Sequence, residues 1–171
     1  MLRLLFTCLE VMWFRKGPQD MPGTATWTVA MVLLYMAVGL PLSLISLPLP
    51  TALLQVAIDA ILLLGFCYLL LGWRGLTQRI PQTMTALAGT GVLFTVLALP
   101  AMVSLDAIQT QGGDASVPSL LLMVLIVWNL AVIAQILRQA LEARLALGVA
   151  LALGYMGLSM AIMSLLFPTA V

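Results

Sequence analysis

Hydrophobic residues fill most of the chain after Gly23, in runs too long for the strands or amphipathic helices of a water-soluble protein. A bilayer core about 30 Å thick needs roughly 20 apolar residues in one helix, at about 1.5 Å of rise per residue. Between Thr24 and Gly72 the only charged residue is Asp59, and one helix of that length would measure about 73 Å. The run therefore predicts two membrane-spanning helices joined by a tight turn.

Prolines, charges and glycines divide the apolar sequence into five segments. Pro48 and Pro50 restrict the backbone and remove amide donors, which predicts a break between the first two helices. Pro81, Asp106 and Pro168 mark later boundaries. The predicted spans are residues 24–47, 51–72, 82–105, 117–137 and 145–167. The fold class predicted from this division is an all-α integral membrane protein with five transmembrane helices.

All basic residues fall on one side of this arrangement. They precede the first span or lie between spans two and three or four and five: Arg3, Arg15, Lys16, Arg74, Arg79, Arg138 and Arg144. The opposite side receives the Pro48 turn, the loop that contains Asp106 and Asp114, and the C-terminal residues, which carry no Lys or Arg. Because basic loops stay in the cytoplasm, we predict a bacterial inner (plasma) membrane protein with a cytoplasmic N-terminus and the C-terminus outside.

Residues 1–23 are predicted to form a separate cytoplasmic unit, an amphipathic helix followed by a linker, ahead of a transmembrane domain of residues 24–171. On a helix, Arg3, Thr7 and Glu10 share one face. Apolar side chains occupy the other face: Leu2, Leu5, Phe6, Leu9, Met12 and Trp13. This pattern predicts a helix in the headgroup layer, with Trp13 and Phe14 at interfacial depth. Packing of the helix against the cytoplasmic ends of the bundle is the alternative.

Composition agrees with lipid as the main partner of this chain. Its residues are 63% hydrophobic and 8% charged, whereas an ordinary soluble domain has about 25% charged residues. So few charges exclude a soluble domain, a disordered tail and a nucleic-acid binder. The chain has no histidine, which removes imidazole metal ligands and the commonest general base.

Enzyme signatures are missing from the sequence. There is no Walker A loop, no His-Glu-x-x-His, no Gly-x-Ser-x-Gly and no Cys-x-x-Cys. Serines such as Ser43 and Ser159 have no accompanying base to accept a proton. We therefore predict a protein that is not an enzyme and that needs no cofactor or metal.

Asp59 is the residue that most needs an explanation, because an acid near the bilayer midplane costs about 2.5 to 3.5 kcal/mol on insertion. It should face the bundle interior. Polar residues at a similar depth predict an intramembrane polar cluster: Asp59, Gln55, Asn129, Tyr35 and Tyr155. Three roles are open for this cluster: a structural hydrogen bond between helices, a protonatable site in a carrier or channel, and a contact with a partner's transmembrane helix.

Glycines occur where helices could approach closely. Span three has Gly89 and Gly91, and span five has Gly148, Gly154 and Gly157. Small residues let the backbones of membrane helices come together. This pattern predicts helix packing within the chain, or self-association through span five.

The plan of the chain resembles the bacterial members of the Yip-domain family over most of its length. The resemblance consists of five spans, a cytoplasmic amphipathic start, very short loops and the stretch Ala88-Gly89-Thr90-Gly91-Val92-Leu93 in the middle span. Eukaryotic relatives are proteins of secretory membranes that are implicated in trafficking and contact small GTPases. This sequence lacks their long acidic N-terminal region and their Asp-Leu-Tyr-Gly-Pro motif, so the GTPase role is not carried over. The resemblance implies the five-helix fold and a non-enzymatic membrane role.

The expected function is to organise or support another membrane component, through contact with another membrane protein or with a second copy of the chain. The surface for such contacts on the cytoplasmic side would be basic: Arg15, Lys16, Arg74, Arg79, Arg138 and Arg144. The alternative is a small carrier or channel subunit that uses Asp59 as a protonatable group.

Overall fold

The structure, a computed structural model, describes residues 2–111 and 113–167. It is 85% helical, with no strand among these residues. The α-helices are α1 (Leu2–Met12), α2 (Ala25–Leu44), α3 (Leu49–Trp73), α4 (Ile80–Gln111), α5 (Ser116–Ala140) and α6 (Leu145–Leu166). Short 3-10 helices at Pro18–Asp20 and Thr77–Arg79 precede α2 and α4. In this part of the chain, five helices, α2 to α6, are long and apolar enough to cross a membrane.

The division into five long apolar helices is confirmed, but two predicted starts are wrong. The second span was expected to begin after Pro50 and the third after Pro81, whereas α3 and α4 include these prolines in their first turns. The first amides of a helix have no intrahelical acceptor, so a proline costs little there. Each of these prolines therefore lies within the first turn of a helix instead of before it.

Helix ends also differ from the predicted ones. Helix α2 ends at Leu44 and not at Leu47, because Leu47 precedes Pro48 and the residue before a proline avoids helical conformation. Helix α4 continues past Asp106 to Gln111, since an exposed acid is compatible with a helix once water can reach it. Pro168, expected to end α6, and the C-terminal residues after it lie outside the described residues.

Helix α4 is the centre of the bundle and packs against α1, α2, α3 and α5. The most extensive contacts join the long helices in the order α3, α2, α4, α5 and α6. Helices α6 and α3, at the two ends of this series, contact each other over a short stretch only. The first half of α4 is buried on several sides, and its polar residues are satisfied locally. The hydroxyls of Thr83 and Thr85, for example, donate to the carbonyls of Arg79 and Pro81, at 2.8 and 2.7 Å.

Helices α1, α3 and α5 end with the same backbone motif. A residue in left-handed conformation follows each helix: Phe14 (φ 59°), Gly75 (φ 71°) and Glu142 (φ 51°). At each end, the amide of the next residue donates to a carbonyl five positions earlier, as Ala143 does to Arg138 at 2.9 Å. This Schellman arrangement satisfies carbonyls that the helix leaves free and turns the chain back sharply.

The basic side chains gather at one end of the bundle, here called the basic end, which contains Arg74, Arg79, Arg138 and Arg144. Arg79 pairs with the Glu142 carboxylate and donates to the Ala140 carbonyl at 3.2 Å, so it joins the start of α4 to the end of α5. Lys16 pairs with Glu10 at 2.7 Å. A cavity of about 600 Å³ between Gln19, Arg79, Gln82 and Arg138 opens at this end. Four of the seven basic residues thus lie together at one end of the bundle, as the sequence predicts for them.

Helix α1 packs along the bundle and buries a stripe that differs from the predicted one. Its buried side chains are Leu4, Cys8, Val11 and Met12, whereas most of the face expected to be embedded points outward, with Phe6 65% and Trp13 63% exposed. The indole nitrogen of Trp128 donates to the Met12 carbonyl at 3.1 Å. Because Trp128 lies at the middle of α5, the end of α1 lies against the side of the bundle at about half its length. This position is closer to the packed alternative than to a helix lying free on the surface.

Candidate functional site

Asp59 lies near the middle of α3, and its partner is a tyrosine on the neighbouring helix. The hydroxyl of Tyr35, near the middle of α2, donates to Oδ2 of Asp59. Gly91 of α4 makes room for this contact: a Cβ there would come within 2.7 Å of the Tyr35 ring. Three helices therefore meet around one hydrogen bond between a phenol and a carboxyl group.

A cavity of about 340 Å³, here called the central cavity, contains this pair in its wall. All five long helices line it. Its polar lining includes Tyr35, Asp59, Asn129, Tyr155, Thr90 and Ser159. Four of the five residues predicted for an intramembrane polar cluster are thus brought to one cavity by α2, α3, α5 and α6.

Gln55 is the predicted cluster member that the structure does not bring to the central cavity. Its Oε1 atom is buried without a hydrogen-bond partner among the described residues. Gln55 lies four positions before Asp59, which places it about 6 Å along α3 and about 40° around it. The rotation turns its amide away from the cavity wall, since the shift along α3 runs in the direction in which the cavity extends.

Two polar groups of the cavity wall remain available to a bound molecule. Within the described part of the chain, no hydrogen bond reaches Oδ1 of Asp59 or the amide of Asn129. Neither group is among the side-chain atoms that the structure buries without a partner, so both are accessible. The central cavity therefore offers one carboxylate oxygen and one carboxamide, together with the hydroxyls around them.

Two phenylalanines, Phe94 and Phe66, contribute to the site and were not anticipated by the sequence pattern. Phe94 lines the cavity and meets Trp128 edge to face, with ring centroids 5.3 Å apart and planes at 85°. The Tyr155 ring lies 5.1 Å from that of Phe66, and this pair bridges α6 and α3. The positions of Phe66 and Phe94 in the chain gave no signal, because a phenylalanine in an apolar helix can equally well face lipid.

The central cavity is closed towards the basic end. Beyond Leu63, the space between the helices is filled by a packed apolar core that includes Cys67, Leu71, Ile136 and Leu137, all essentially inaccessible. In the other direction the cavity continues to Leu42 and Leu122. Both residues lie in the parts of α2 and α5 that are farther from the basic end. The site is therefore a partly open chamber with one closed end and not a continuous pore.

The predicted packing glycines divide into two groups. Gly89 faces the Cys8 sulfur and Met31, Gly91 faces Tyr35, and Gly148 faces the backbone of Ala134 on α5. These three positions are packed within the chain. At Gly154 and Gly157, by contrast, no described atom outside the adjoining turns of α6 lies within 4 Å of the place where a Cβ would stand, so this face of α6 is unpacked.

Asp59 is the only carboxylate in the central cavity wall, and no group of three His, Cys, Asp or Glu residues among the described residues could hold a metal ion.

Comparison with protein-family models, curated proteins and solved structures gives no match. The Yip-domain resemblance stays a prediction, and the geometry of the cavity is what supports a function.

Proposed function

We propose that this chain is a non-enzymatic multi-pass membrane protein that acts as a small carrier, with Asp59 as its protonatable group. The supporting observation is the central cavity, in which the Asp59–Tyr35 pair, Asn129 and Tyr155 surround a space of about 340 Å³. An ionisable side chain within a membrane-spanning bundle is costly, and such residues commonly belong to substrate or proton pathways. A purely structural hydrogen bond would not require an adjoining chamber of this size.

The shape of the cavity favours a carrier over a channel subunit. A channel needs a continuous polar path, and here the core around Leu71 and Leu137 blocks the route to the basic end. A carrier exposes its site to one side at a time. The described conformation, with the chamber reaching towards the end opposite the basic residues, is the one expected of a carrier open to that side.

The proposed setting is a bacterial inner membrane that α2 to α6 span. The basic end would face the cytoplasm, since Lys and Arg concentrate on that side of membrane proteins. The N-terminal segment with α1 would then pack against the bundle from the cytoplasmic side, and α6 would end outside. The exposed Trp13 and Phe14 would contact lipid at the side of the bundle.

The carrier role predicts that Asp59→Asn abolishes solute-coupled proton movement and leaves the fold intact. Asparagine has nearly the same shape and still accepts the Tyr35 hydrogen bond, but its amide does not bind a proton at physiological pH. The purified protein would be reconstituted in liposomes containing a trapped pH dye. Organic cations, carboxylates and neutral sugars would each be added outside, and proton movement recorded. We expect at least one class to move protons, and the rate to fall about tenfold or more in the variant.

Asp106→Asn is the matched control, because Asp106 is an exposed acid near the opposite end of α4. It should retain the wild-type rate. Thermal unfolding of both variants in detergent should match that of the wild type. The carrier role is wrong if none of the solute classes moves protons, or if Asp59→Asn moves them as fast as the wild type.

A second candidate function is to organise or support another membrane component. The observation that favours it is the open face of α6, where Gly154 and Gly157 have no neighbour within 4 Å among the described residues. Glycines on an exposed helix face allow a second helix to approach closely. A partner's transmembrane helix or a second copy of this chain could pack there.

This second role predicts that Gly157→Leu weakens self-association or partner binding. The added side chain would hold an approaching helix away, while leaving the monomer undisturbed because the position is open. Energy transfer between labelled copies in liposomes would measure self-association, and crosslinking in native membranes would measure binding to other proteins. Val149→Leu, at another exposed position of α6, serves as the control. Unchanged proximity in the Gly157 variant by both measurements would exclude this face as an interface.

A further inference from the structure

We propose that the ligand of the central cavity is an organic cation with an apolar body, such as an aryl or alkyl ammonium ion. The proposal rests on the carrier role above and names the substrate class of the same site. It follows from three features of the cavity wall: its charge, its aromatic rings and its openness along one flank.

The charge of the wall selects for a cation. Asp59 is the only carboxylate among the described residues that line the cavity, and no Lys or Arg lines it. Its Oδ2 atom accepts from Tyr35, so Oδ1 is left to accept from, or lie against, a positive group. Opposite charges attract strongly where water is scarce, and an anion would meet repulsion with no compensating partner.

The aromatic rings provide a second contact suited to a cation. Tyr35, Phe94 and Tyr155 all line the cavity, and the face of an aromatic ring attracts ammonium groups within about 6 Å. Packing against neighbours holds two of these rings: Phe94 lies edge to face on Trp128, and Tyr155 lies beside Phe66. Held rings around a single carboxylate are the combination that binds substituted ammonium ions.

The remainder of the wall is aliphatic, which calls for an apolar body on the ligand. Leu42, Leu122 and Met160 extend the cavity away from Asp59 towards the opposite end of the bundle. A small hydrated ion such as Na⁺ would gain little from that surface, since it requires several oxygen ligands in place of water. An ammonium group at Asp59 with its hydrocarbon part among these side chains would use both regions.

The flank between α3 and α6 is the natural route of entry for such a molecule. These two helices contact each other over a short stretch, near the Phe66–Tyr155 pair, while every other neighbouring pair of long helices packs more extensively. Apolar cations concentrate at the membrane interface and in its outer region. The ligand would therefore reach the cavity from lipid as well as from water.

The test is equilibrium binding of benzyltrimethylammonium to the full chain in lipid nanodiscs, measured by titration calorimetry. Its charge is permanent, so binding does not depend on protonation of the ligand. Its neutral carbon analogue, neopentylbenzene, and the anion phenylmethanesulfonate are the comparison ligands, and empty nanodiscs correct for partition into lipid. We expect the cation to bind about tenfold or more tightly than either comparison ligand.

Variants identify the groups responsible. Asp59→Asn should weaken cation binding about tenfold or more, and Tyr155→Leu about threefold to tenfold, while Tyr155→Phe keeps the ring and should lose less affinity than Tyr155→Leu. Asp106→Asn should bind as the wild type does. Thermal unfolding confirms that each variant is folded.

Two outcomes would overturn the proposal: the neutral analogue binds as tightly as the cation, or Asp59→Asn binds the cation as tightly as the wild type. Both are separable from failure of the carrier role. If carboxylates or sugars move protons through Asp59 but the cation does not bind, the substrate class is wrong and the carrier role stands. If the cation binds through Asp59 but no proton moves, the site is a cation receptor and the carrier role fails.

Discussion

Replacing Gly148 with alanine is expected to lower the free energy of unfolding by about 1 to 3 kcal/mol. Gly148 lies in the first turn of α6, where the helix crosses the last turns of α5. An added Cβ would overlap the carbonyl oxygen of Ala134 and approach Cβ of Arg138 to 3.0 Å. The first of these atoms belongs to the backbone of a helix and cannot rotate away, so α5 and α6 would have to separate.

The matched control is Gly154→Ala, on the same helix and at the same change in volume. No described atom outside the adjoining turns of α6 lies within 4 Å of the Cβ position at Gly154, and alanine favours helix by about 1 kcal/mol relative to glycine. We expect this variant to be as stable as the wild type or more so, by thermal unfolding in detergent and in nanodiscs. Equal melting temperatures for the two variants would show that the α5–α6 crossing is looser than the structure describes.

The length of the apolar runs was sufficient to predict the number and order of the long helices. Bilayer thickness sets how many residues one helix needs, so a run such as residues 24–72 could only be divided in two. The same reasoning did not locate the helix ends, because a proline can either end a helix or occupy its first turn. Pro50 and Pro81 do the latter, and the residue type alone does not distinguish the two cases.

Depth along the helices also predicted most of the polar layer. Tyr35, Asp59, Asn129 and Tyr155 fall near the middle of four helices and line one cavity. Position along a helix says nothing about rotation around it, and Gln55 shows the consequence: it was predicted from depth and proximity to Asp59, yet its Oε1 is enclosed elsewhere. The contribution of Phe94 required knowledge of both rotation and neighbours.

Helix α1 shows why a two-faced pattern was too simple. Its residues divide into three stripes: a polar one with Glu10, an inward one with Cys8 and an outward apolar one with Phe6 and Trp13. A helix that lies on a membrane has one apolar face, whereas a helix placed between a bundle and lipid needs two. The predicted apolar face contained the outward stripe but, apart from Met12, missed the inward one, because periodicity does not distinguish protein from lipid as a neighbour.

Replacing Trp128 with alanine is expected to release α1 from the bundle and to lower the free energy of unfolding by about 3 to 5 kcal/mol. Trp128 holds α1 in two ways. Its indole nitrogen donates to the Met12 carbonyl at 3.1 Å, and its ring lies 5.6 Å from that of Trp13 and 5.3 Å from that of Phe94. Met12 is the last residue of α1, where carbonyls lack intrahelical partners, so loss of the indole also leaves an acceptor unsatisfied.

The thiol of Cys8 reports directly on this release. Cys8 is fully buried between α1 and α4, and burial raises the pKa of its thiol to about 12. Because the thiolate is the reactive form, alkylation at pH 8 should be very slow in the wild type. Once α1 leaves the bundle, the pKa returns towards its ordinary value, and the thiolate fraction rises on the order of a thousandfold. Peptide mass spectrometry after timed alkylation would measure Cys8 separately from Cys67.

Two further variants make the result specific to Trp128. Trp73→Ala removes an indole that is 88% exposed and should change neither stability nor the alkylation rate of Cys8. Trp128→Phe keeps a ring between Trp13 and Phe94 but loses the donor to Met12, and should cost about 1 kcal/mol with a modest rise in alkylation. If Cys8 in Trp128→Ala reacts as slowly as in the wild type, contacts of α1 with α4 alone are enough to hold it. In that case the close approach of Cys8 to Gly89, which leaves no room for a Cβ, would be the main attachment.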